Sequence, residues 1–184
     1  MSYTCDMVKL STNLEPLARW KFPSVICNYV KYVPESRNAY LTGFPFFLHR
    51  FDLESAAKGS NRFLLLTMWV EPVPGRREIV VNGLRSVAVL DPVSLKTIRT
   101  IRTKIGIRSL AVDAKRNLVY VAHYFYGEMA AYDLDSGELK ATLYLGHLLR
   151  VVHYSVENDR IYAGSARGIF EVEPDTFLAL SEDG

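Results

Sequence analysis

The clearest candidates for chemistry in this chain are arginines at matching positions. Arg108 and Arg150 each stand just ahead of an apolar run, 42 residues apart, while Arg85 and Arg167 each open a further apolar run. Guanidinium groups bind carboxylates and phosphates through paired hydrogen bonds. If the fold gathers these residues, they could bind an anion or an acidic partner segment. The alternative is that each arginine lies over an edge and is simply solvated.

Histidines are the second group that could carry chemistry. None of the four has the helical i, i+4 spacing or the carboxylate companions of a zinc motif, so we interpret them as solvent-facing or core-edge residues. His147 and His153 flank the start of one strand and are the best choices if a histidine is functional. The chain has no phosphate-binding glycine loop, nucleophile elbow or Cys/His catalytic pattern. We therefore predict no catalytic residue and no metal site, and the sequence identifies no cofactor.

An aromatic turn, "HYFYGE" (123–128), completes the set of candidate residues. Exposed aromatic side chains can anchor a protein or a sugar, and they can equally pack between repeats. The candidate ligand-binding residues are Arg85, Arg108, Tyr124, Tyr126, His147, Arg150, His153 and Arg167.

Overall charge gives no sign of a nucleic-acid partner. Twenty-two basic and 20 acidic residues leave a net charge of +2, and the basic stretch 95–108 falls mostly on a predicted outer strand, where charge opposes aggregation. No secretory leader is visible, and the longest apolar run, 63–70, is too short to span a bilayer. We expect a cytoplasmic protein with no nucleic-acid or membrane partner, in which Cys5 and Cys27 are free thiols.

The elements that must position these residues are written as a repeat. An acidic residue, two further residues and then Ser or Thr occur four times, each after an apolar-rich stretch. These motifs lie at 52–55, 91–94, 133–136 and 173–176, so their acidic positions are 39, 42 and 40 residues apart. A polar turn followed by β-branched or aromatic residues precedes each motif. Two landmarks in constant order and at a nearly constant period indicate a structural repeat.

The acidic residue of each repeat is predicted to form a turn. A carboxylate at the first turn position accepts hydrogen bonds from the backbone N–H groups that follow, and Ser or Thr can do likewise. Pro92 and Pro174 come directly after the acidic residue, where their fixed φ suits a turn. We interpret these acidic residues as turn formers rather than as a catalytic pair.

Each repeat contains about four short predicted strands. In the clearest unit they lie at 108–114, 117–124, 128–134 and 138–145, with connectors of hairpin length. A unit of roughly forty residues with four antiparallel strands is a β-propeller blade. The predicted fold is therefore all-β, with about four four-stranded antiparallel blades, in a complete or a partial propeller.

Domain boundaries follow from the repeat. We predict a flexible N-terminus at 1–15 and a β-propeller-like repeat domain at 16–184, with units near 25–63, 64–104, 105–146 and 147–184. The last unit has a weak fourth strand at "TFLAL". An extra strand at 16–24 would close the last blade if the four units form a ring.

The segment "IGIRSLAVDAKRNLVYVAHYFYGEMAAYDLDSGELKATLYLG" resembles a repeat of the YVTN/NHL-type propellers, which include surface-layer-like and quinoprotein-like β-propellers. "LAVDAKRNLVYVA" matches the first hairpin and "AAYDLDSGELKATL" the second, and the resemblance covers about residues 16–178. Complete propellers of this type usually carry six to eight blades, whereas this chain has four units. The resemblance implies the fold and leaves the function open, because the motif residues are turn and core positions.

We expect a non-enzymatic propeller scaffold that binds a protein or a small ligand at one face. The alternatives are a metal- or cofactor-dependent propeller enzyme (a hydrolase, lyase or quinoprotein-like oxidoreductase) and a fragment of a longer propeller without independent activity. Few Asp, Glu or His residues fall at inner-strand positions, which favours the scaffold. A homodimer could also complete a larger ring.

Overall fold

The chain folds into four antiparallel sheets arranged as a four-bladed β-propeller, as the repeat predicts. A computed structural model describes residues 5–22, 26–44, 47–53 and 58–180. Blade 1 consists of β3 (Ile26–Val33), β4 (Asn38–Phe44), β5 (Phe47–Asp52) and β6 (Lys58–Phe63). Blade 2 consists of β7 (Val70–Pro72), β8 (Ile79–Asn82), β9 (Ser86–Leu90) and β10 (Thr97–Arg102).

The remaining blades follow the same order from the inner to the outer strand. Blade 3 consists of β11 (Ile107–Asp113), β12 (Leu118–His123), β13 (Glu128–Asp133) and β14 (Leu139–Tyr144). Blade 4 consists of β15 (Val151–Ser155), β16 (Arg160–Ser165) and β17 (Gly168–Val172).

The core lies between neighbouring blades, because each sheet presents an apolar face to the next. Val80 and Val89 of blade 2 pack with Val121 of blade 3, and Met129 of blade 3 packs in one cluster with Ile161 of blade 4. Since β12 is covered on both faces, all of its residues are buried. Because both faces of this sheet are covered, the loops of blade 3 leave it at the two ends of its strands.

The predicted acidic turns are confirmed at Asp91 and Asp133, while Glu173 accepts the equivalent backbone bond as the cap of a helix. Asp91 Oδ1 accepts the backbone N–H of Ser94 at 2.7 Å and its hydroxyl at 2.8 Å, and Asp133 Oδ1 binds Ser136 in the same way. The bonds from Ser94 lower the pKa of Asp91. Glu173 accepts the backbone N–H of Thr176 at 2.8 Å. The first motif extends outside the described residues.

The predicted strand at "TFLAL" is wrong. Residues Pro174–Ala179 form a helix, α1, so blade 4 has three strands within the described residues. Glu173 caps the helix and Pro174 occupies its first turn, a combination that starts a helix rather than a hairpin. Phe177 is buried against Tyr120 of blade 3, so the helix packs over the junction between blades 3 and 4.

An N-terminal hairpin precedes blade 1. Strand β1 (Cys5–Leu10) lies within the stretch predicted as flexible, and it pairs with β2 (Pro16–Phe22) in a two-stranded sheet. The structure therefore contradicts closure of blade 4 by the strand predicted at 16–24. The hairpin packs on the side of blade 1 that contains Ala39, Leu41 and Phe51.

Cys5 and Cys27 form a disulfide in the structure, with Cα atoms 6.1 Å apart. The prediction of free thiols is wrong because the hairpin brings β1 against the inner strand of blade 1, at a separation typical of disulfides. The bridge thus attaches the hairpin covalently to blade 1.

The inner strands pack in blade order: β3 against β7, β7 against β11, and β11 against β15. Among the described residues, no packing of similar extent joins β15 back to β3. The far side of blade 4 is accordingly open, and Ile169 on it is 86% exposed. No helix in the described ranges is long and apolar enough to cross a membrane.

Candidate functional site

The propeller has two loop-bearing faces, which we name by their charge. The cationic face carries the connections between blades (64–69, 103–106 and 145–150) and the loops between second and third strands (83–85, 124–127 and 166–167). The carboxylate face carries the first-to-second-strand turns (73–78, 114–117 and 156–159) and the acidic turns at 91–96, 133–138 and 173–176. Antiparallel blades alternate their loops between the two faces in this way.

Charge is divided sharply between the two faces. The six loop segments of the cationic face contain no Asp or Glu, and Glu128 borders them at the start of β13. Glu128 pairs with Lys104. Within the described residues, no carboxylate lies within ion-pair distance of the four candidate arginines, Arg85, Arg108, Arg150 and Arg167. These guanidinium groups give the face an uncompensated positive charge.

A cavity of about 410 Å³ opens on the cationic face between blades 2 and 3. Its apolar wall includes Leu66, Leu84 and Phe125, and its polar lining includes Arg108, Tyr124 and Arg150. An apolar hollow with a few convergent polar groups is the usual form of a ligand site. The ring of Phe125 is 66% exposed and forms an accessible apolar rim.

Buried Asn82 holds the blade 2 side of this cavity in place. Its side-chain oxygen accepts the backbone N–H groups of Met68 and Trp69 at 2.9 and 2.7 Å, and its amide group donates to the Ile107 carbonyl at 3.1 Å. These bonds connect the residues just before β7 with the first residue of β11, and so link the starts of the inner strands of blades 2 and 3. The cavity wall is thus fixed by a satisfied buried amide rather than by loop contacts alone.

Gly106 shapes the blade 3 side of the cavity. Its φ of +84° favours glycine, and a Cβ atom there would lie 2.3 Å from the Phe125 ring. The Gly106 carbonyl accepts the backbone N–H of Tyr124 at 2.9 Å, while its own N–H donates to the Leu84 carbonyl at 3.2 Å. Glycine therefore allows the aromatic turn to lie directly on the loop between the blades.

The two arginines at the cavity retain most of their binding capacity. Arg108 donates from Nη1 to the Met68 sulfur at 2.7 Å, and thioether sulfur is a weak acceptor. The Arg150 guanidinium lies 6.0 Å from the centre of the Tyr124 ring, at the outer limit of a cation–π contact. Both side chains are exposed. An anion in the cavity mouth could therefore accept hydrogen bonds from both.

Three of the eight predicted residues share this cavity: Arg108, Tyr124 and Arg150. Four others lie on the same face outside the cavity wall, namely Arg85, Tyr126, His147 and Arg167. His153 lies apart from them, exposed on β15, where it is paired in register with Tyr162. Sequence reasoning noted the aromatic turn that contains Phe125. It missed Leu66 and Met68, which lie in an apolar run without any feature that marks a cavity wall.

His123 is a buried residue that the sequence did not distinguish. It occupies the end of β12 with no exposed surface, and neither ring nitrogen has a hydrogen-bond partner in the part of the chain that the structure describes. Burial, followed by the charge of Lys104, lowers the pKa of His123 to about 4. A neutral imidazole therefore supports the base of the aromatic turn.

The carboxylate face contains arginines of the opposite kind. Arg116 donates to Asp113, Asp159 and Asp175 at 2.9, 2.6 and 2.6 Å. Arg76 donates to Asp135 at 2.7 Å. A second cavity of about 600 Å³ opens here, lined in part by Arg76 and Pro74. It is larger than the cationic cavity, but Arg76 is paired with Asp135, and Arg77, the other arginine that lines it, interacts electrostatically with Asp91.

The described residues gather no set of metal ligands at either face: no group of three or more His, Cys, Asp or Glu side chains among them could hold a metal ion. The cationic cavity offers guanidinium hydrogen-bond donors beside an apolar surface.

This fold defines the chain as a β-propeller with a cationic cavity on one of its faces. No family model matches the chain, and no curated protein matches it in sequence. The prediction of a propeller repeat is confirmed by the fold, whereas its YVTN/NHL type stays a prediction.

Solved propeller structures resemble the chain in fold. The dihydro-heme d1 dehydrogenase NirN, solved in complex with DHE, matches with a TM-score of 0.74 and 19% identity over 96% of this chain and 40% of that one. Saccharomyces cerevisiae Sqt1 matches with a TM-score of 0.76 and 11% identity over 92% of this chain and 53% of that one. This chain thus spans about half or less of each protein. At such identities the similarity establishes the fold alone.

Proposed function

We propose that this propeller is a non-enzymatic binding scaffold whose cationic cavity takes a ligand carrying an anionic group beside an apolar or aromatic moiety. The observation that carries the proposal is the pairing of Arg108 and Arg150 across an apolar hollow of about 410 Å³. The two residues come from equivalent positions in successive blades. Neither is neutralised by a carboxylate of the described chain.

The chemistry of the cavity defines the ligand class. Guanidinium groups supply several donors to a carboxylate, phosphate or sulfonate, while Phe125 and Leu84 offer apolar contact. A purely apolar ligand would leave the guanidinium groups unused, and a small inorganic anion would leave the apolar wall empty. A ligand that combines both parts gains from each.

The test is a titration with three matched probes: 1-naphthyl phosphate, 1-naphthol and 1-naphthylmethylamine. We expect only the phosphate to bind well, and increasing salt to weaken it. Arg108→Gln/Arg150→Gln should reduce its affinity by ~10-fold or more, because each charge-assisted hydrogen bond contributes more than about 1 kcal/mol. Arg77→Gln, which changes an exposed arginine on the carboxylate face, is the control. Equal binding of all three probes, or an unaffected double variant, would disprove the proposal.

A further inference from the structure

The cationic face contains a second hollow that adjoins the cavity. It measures about 400 Å³ and is lined by Leu148, Val151, Gly164, Ser165 and Ala166, together with Arg150. Arg150 lines both hollows. The two hollows therefore share Arg150 as a lining residue, and a ligand longer than one cavity could occupy both.

The loops that flank the two hollows repeat the same construction. Gly106 and Gly146 occur 40 residues apart in successive connections between blades, with φ of +84° and +104°. Each lies beneath a side chain from the following second-to-third-strand loop: Phe125 over Gly106, and Arg167 over Gly146. From blade 2 towards blade 4, the surface thus presents an apolar ring, then Arg150, then Arg167.

We propose that this surface binds an extended acidic peptide segment, which crosses from the cavity between blades 2 and 3 to the second hollow and Arg167. The peptide would place a large apolar side chain against Phe125 and its carboxylates at Arg108, Arg150 and Arg167. This inference rests on the proposed function, because it takes the same cavity as its starting point. The absence of acidic residues from the six loop segments gives the charge complementarity.

The aromatic rings favour a peptide over single-stranded nucleic acid. Bases bind proteins largely by stacking on open aromatic faces. Here the ring of Tyr124 lies beneath Arg150, that of Tyr126 lies 5.3 Å from the Lys104 ammonium, and that of Tyr144 lies 5.3 Å from the Arg167 guanidinium. Each ring already has an intramolecular cation, whereas a carboxylate needs only the guanidinium edges.

Peptide length and Arg167 provide the test. The probes, all unlabelled and titrated by calorimetry, are a decapeptide of Asp and Glu with one central Phe, a tetrapeptide with the same Phe and two Glu, and a decapeptide in which Lys replaces every acidic residue. We expect the acidic decapeptide to bind ~10-fold more tightly than the tetrapeptide, since contacts at linked sites reinforce one another. Arg167→Gln should remove most of this gain and leave the tetrapeptide unaffected. The lysine decapeptide should not bind.

The outcomes separate this inference from the proposed function. If 1-naphthyl phosphate binds and length gives no gain, the peptide path is wrong and the cavity stands. If neither naphthyl phosphate nor any peptide binds, both are wrong. Binding of a dT oligonucleotide or of phosphatidylserine vesicles without binding of the acidic decapeptide would also overturn the inference. Arg77→Gln, on the other face, should change none of the affinities.

Discussion

The two faces of this propeller use arginine for opposite purposes. On the carboxylate face, Arg116 and Arg76 donate to acidic residues of the next blade, and both Arg76–Asp135 and Arg116–Asp175 are separated by 59 residues. On the cationic face, Arg108 and Arg150 meet only a sulfur atom and an aromatic ring among the described side chains. The difference shows that position in the repeat, rather than residue type, decides whether an arginine holds blades together or remains available to a ligand.

The largest effect on stability is expected from Arg116→Met. Asp113 is completely buried, and the variant would leave its carboxylate with only the Tyr120 hydroxyl and a backbone N–H as partners. Loss of one partner of a buried ion pair costs about 3–5 kcal/mol. Urea unfolding should show this loss, whereas Arg150→Met on the other face should remain within about 0.5 kcal/mol of wild type. Equal losses in the free energy of unfolding for the two variants would show that the arginines of the two faces do not differ in their structural role.

On acidification, the two faces should lose their contributions to the free energy of unfolding at different pH values. His123 has its pKa lowered to about 4 in the folded chain, against about 6.5 when unfolded. The unfolded chain therefore binds more protons between these values. The contribution of neutral His123 to the stability of the folded chain is therefore complete above pH 6.5. It is lost as the pH falls towards 4, by about 3 kcal/mol.

The variant His123→Leu tests this pH dependence. It should flatten the stability profile between pH 6.5 and 4, because it removes the buried imidazole, which faces Lys104 and Glu128 and which only the unfolded chain protonates in this range. On the carboxylate face, Asp159 and Asp175 have a lowered pKa because they accept hydrogen bonds from Arg116. Their contribution should persist to lower pH. A wild-type profile that His123→Leu leaves unchanged would contradict the assignment.

A smaller effect on stability is expected from Gly106→Ala. The substitution places a Cβ at positive φ and against the Phe125 ring, so we expect a loss of about 1–2 kcal/mol and weaker binding of 1-naphthyl phosphate. Gly75→Ala is the matched control on the carboxylate face, with φ of +75° and no atom within 4 Å of the new Cβ. It should cost about 1 kcal/mol and leave binding unchanged. Equal binding losses would show that the Gly106–Phe125 contact does not shape the cavity.

Much of the blade architecture was accessible from the sequence. The D-x-x-S turns are marked by local chemistry, and connectors of hairpin length between successive strands fix the strand order. The chain from β11 to β14 therefore follows its prediction to within one residue at each end. Arg108 and Arg150 could be placed on one face because they lie at the start of equivalent inner strands, Arg108 as the second residue of β11 and Arg150 just before β15.

Other features depend on tertiary packing that cannot be predicted from the residues themselves. The short run "TFLAL" suits a strand as well as a helix, and burial of Phe177 between two blades accompanies the helix. The Cys5–Cys27 bridge depends on where the N-terminal hairpin packs. The net charge also gave no indication of the cationic cavity, because the total of +2 is the sum over an acidic face and a cationic one.

We infer that the two faces divide structural and binding roles between their arginines. The most direct test measures both properties on two single variants, Arg150→Gln and Arg76→Gln, through the affinity for 1-naphthyl phosphate and the free energy of unfolding. We expect Arg150→Gln to lose affinity and keep its stability, and Arg76→Gln to lose about 1 kcal/mol of stability and keep its affinity. An equal loss of affinity in both variants, or a loss of stability alone in Arg150→Gln, would show that the arginines of the two faces do not have separate roles.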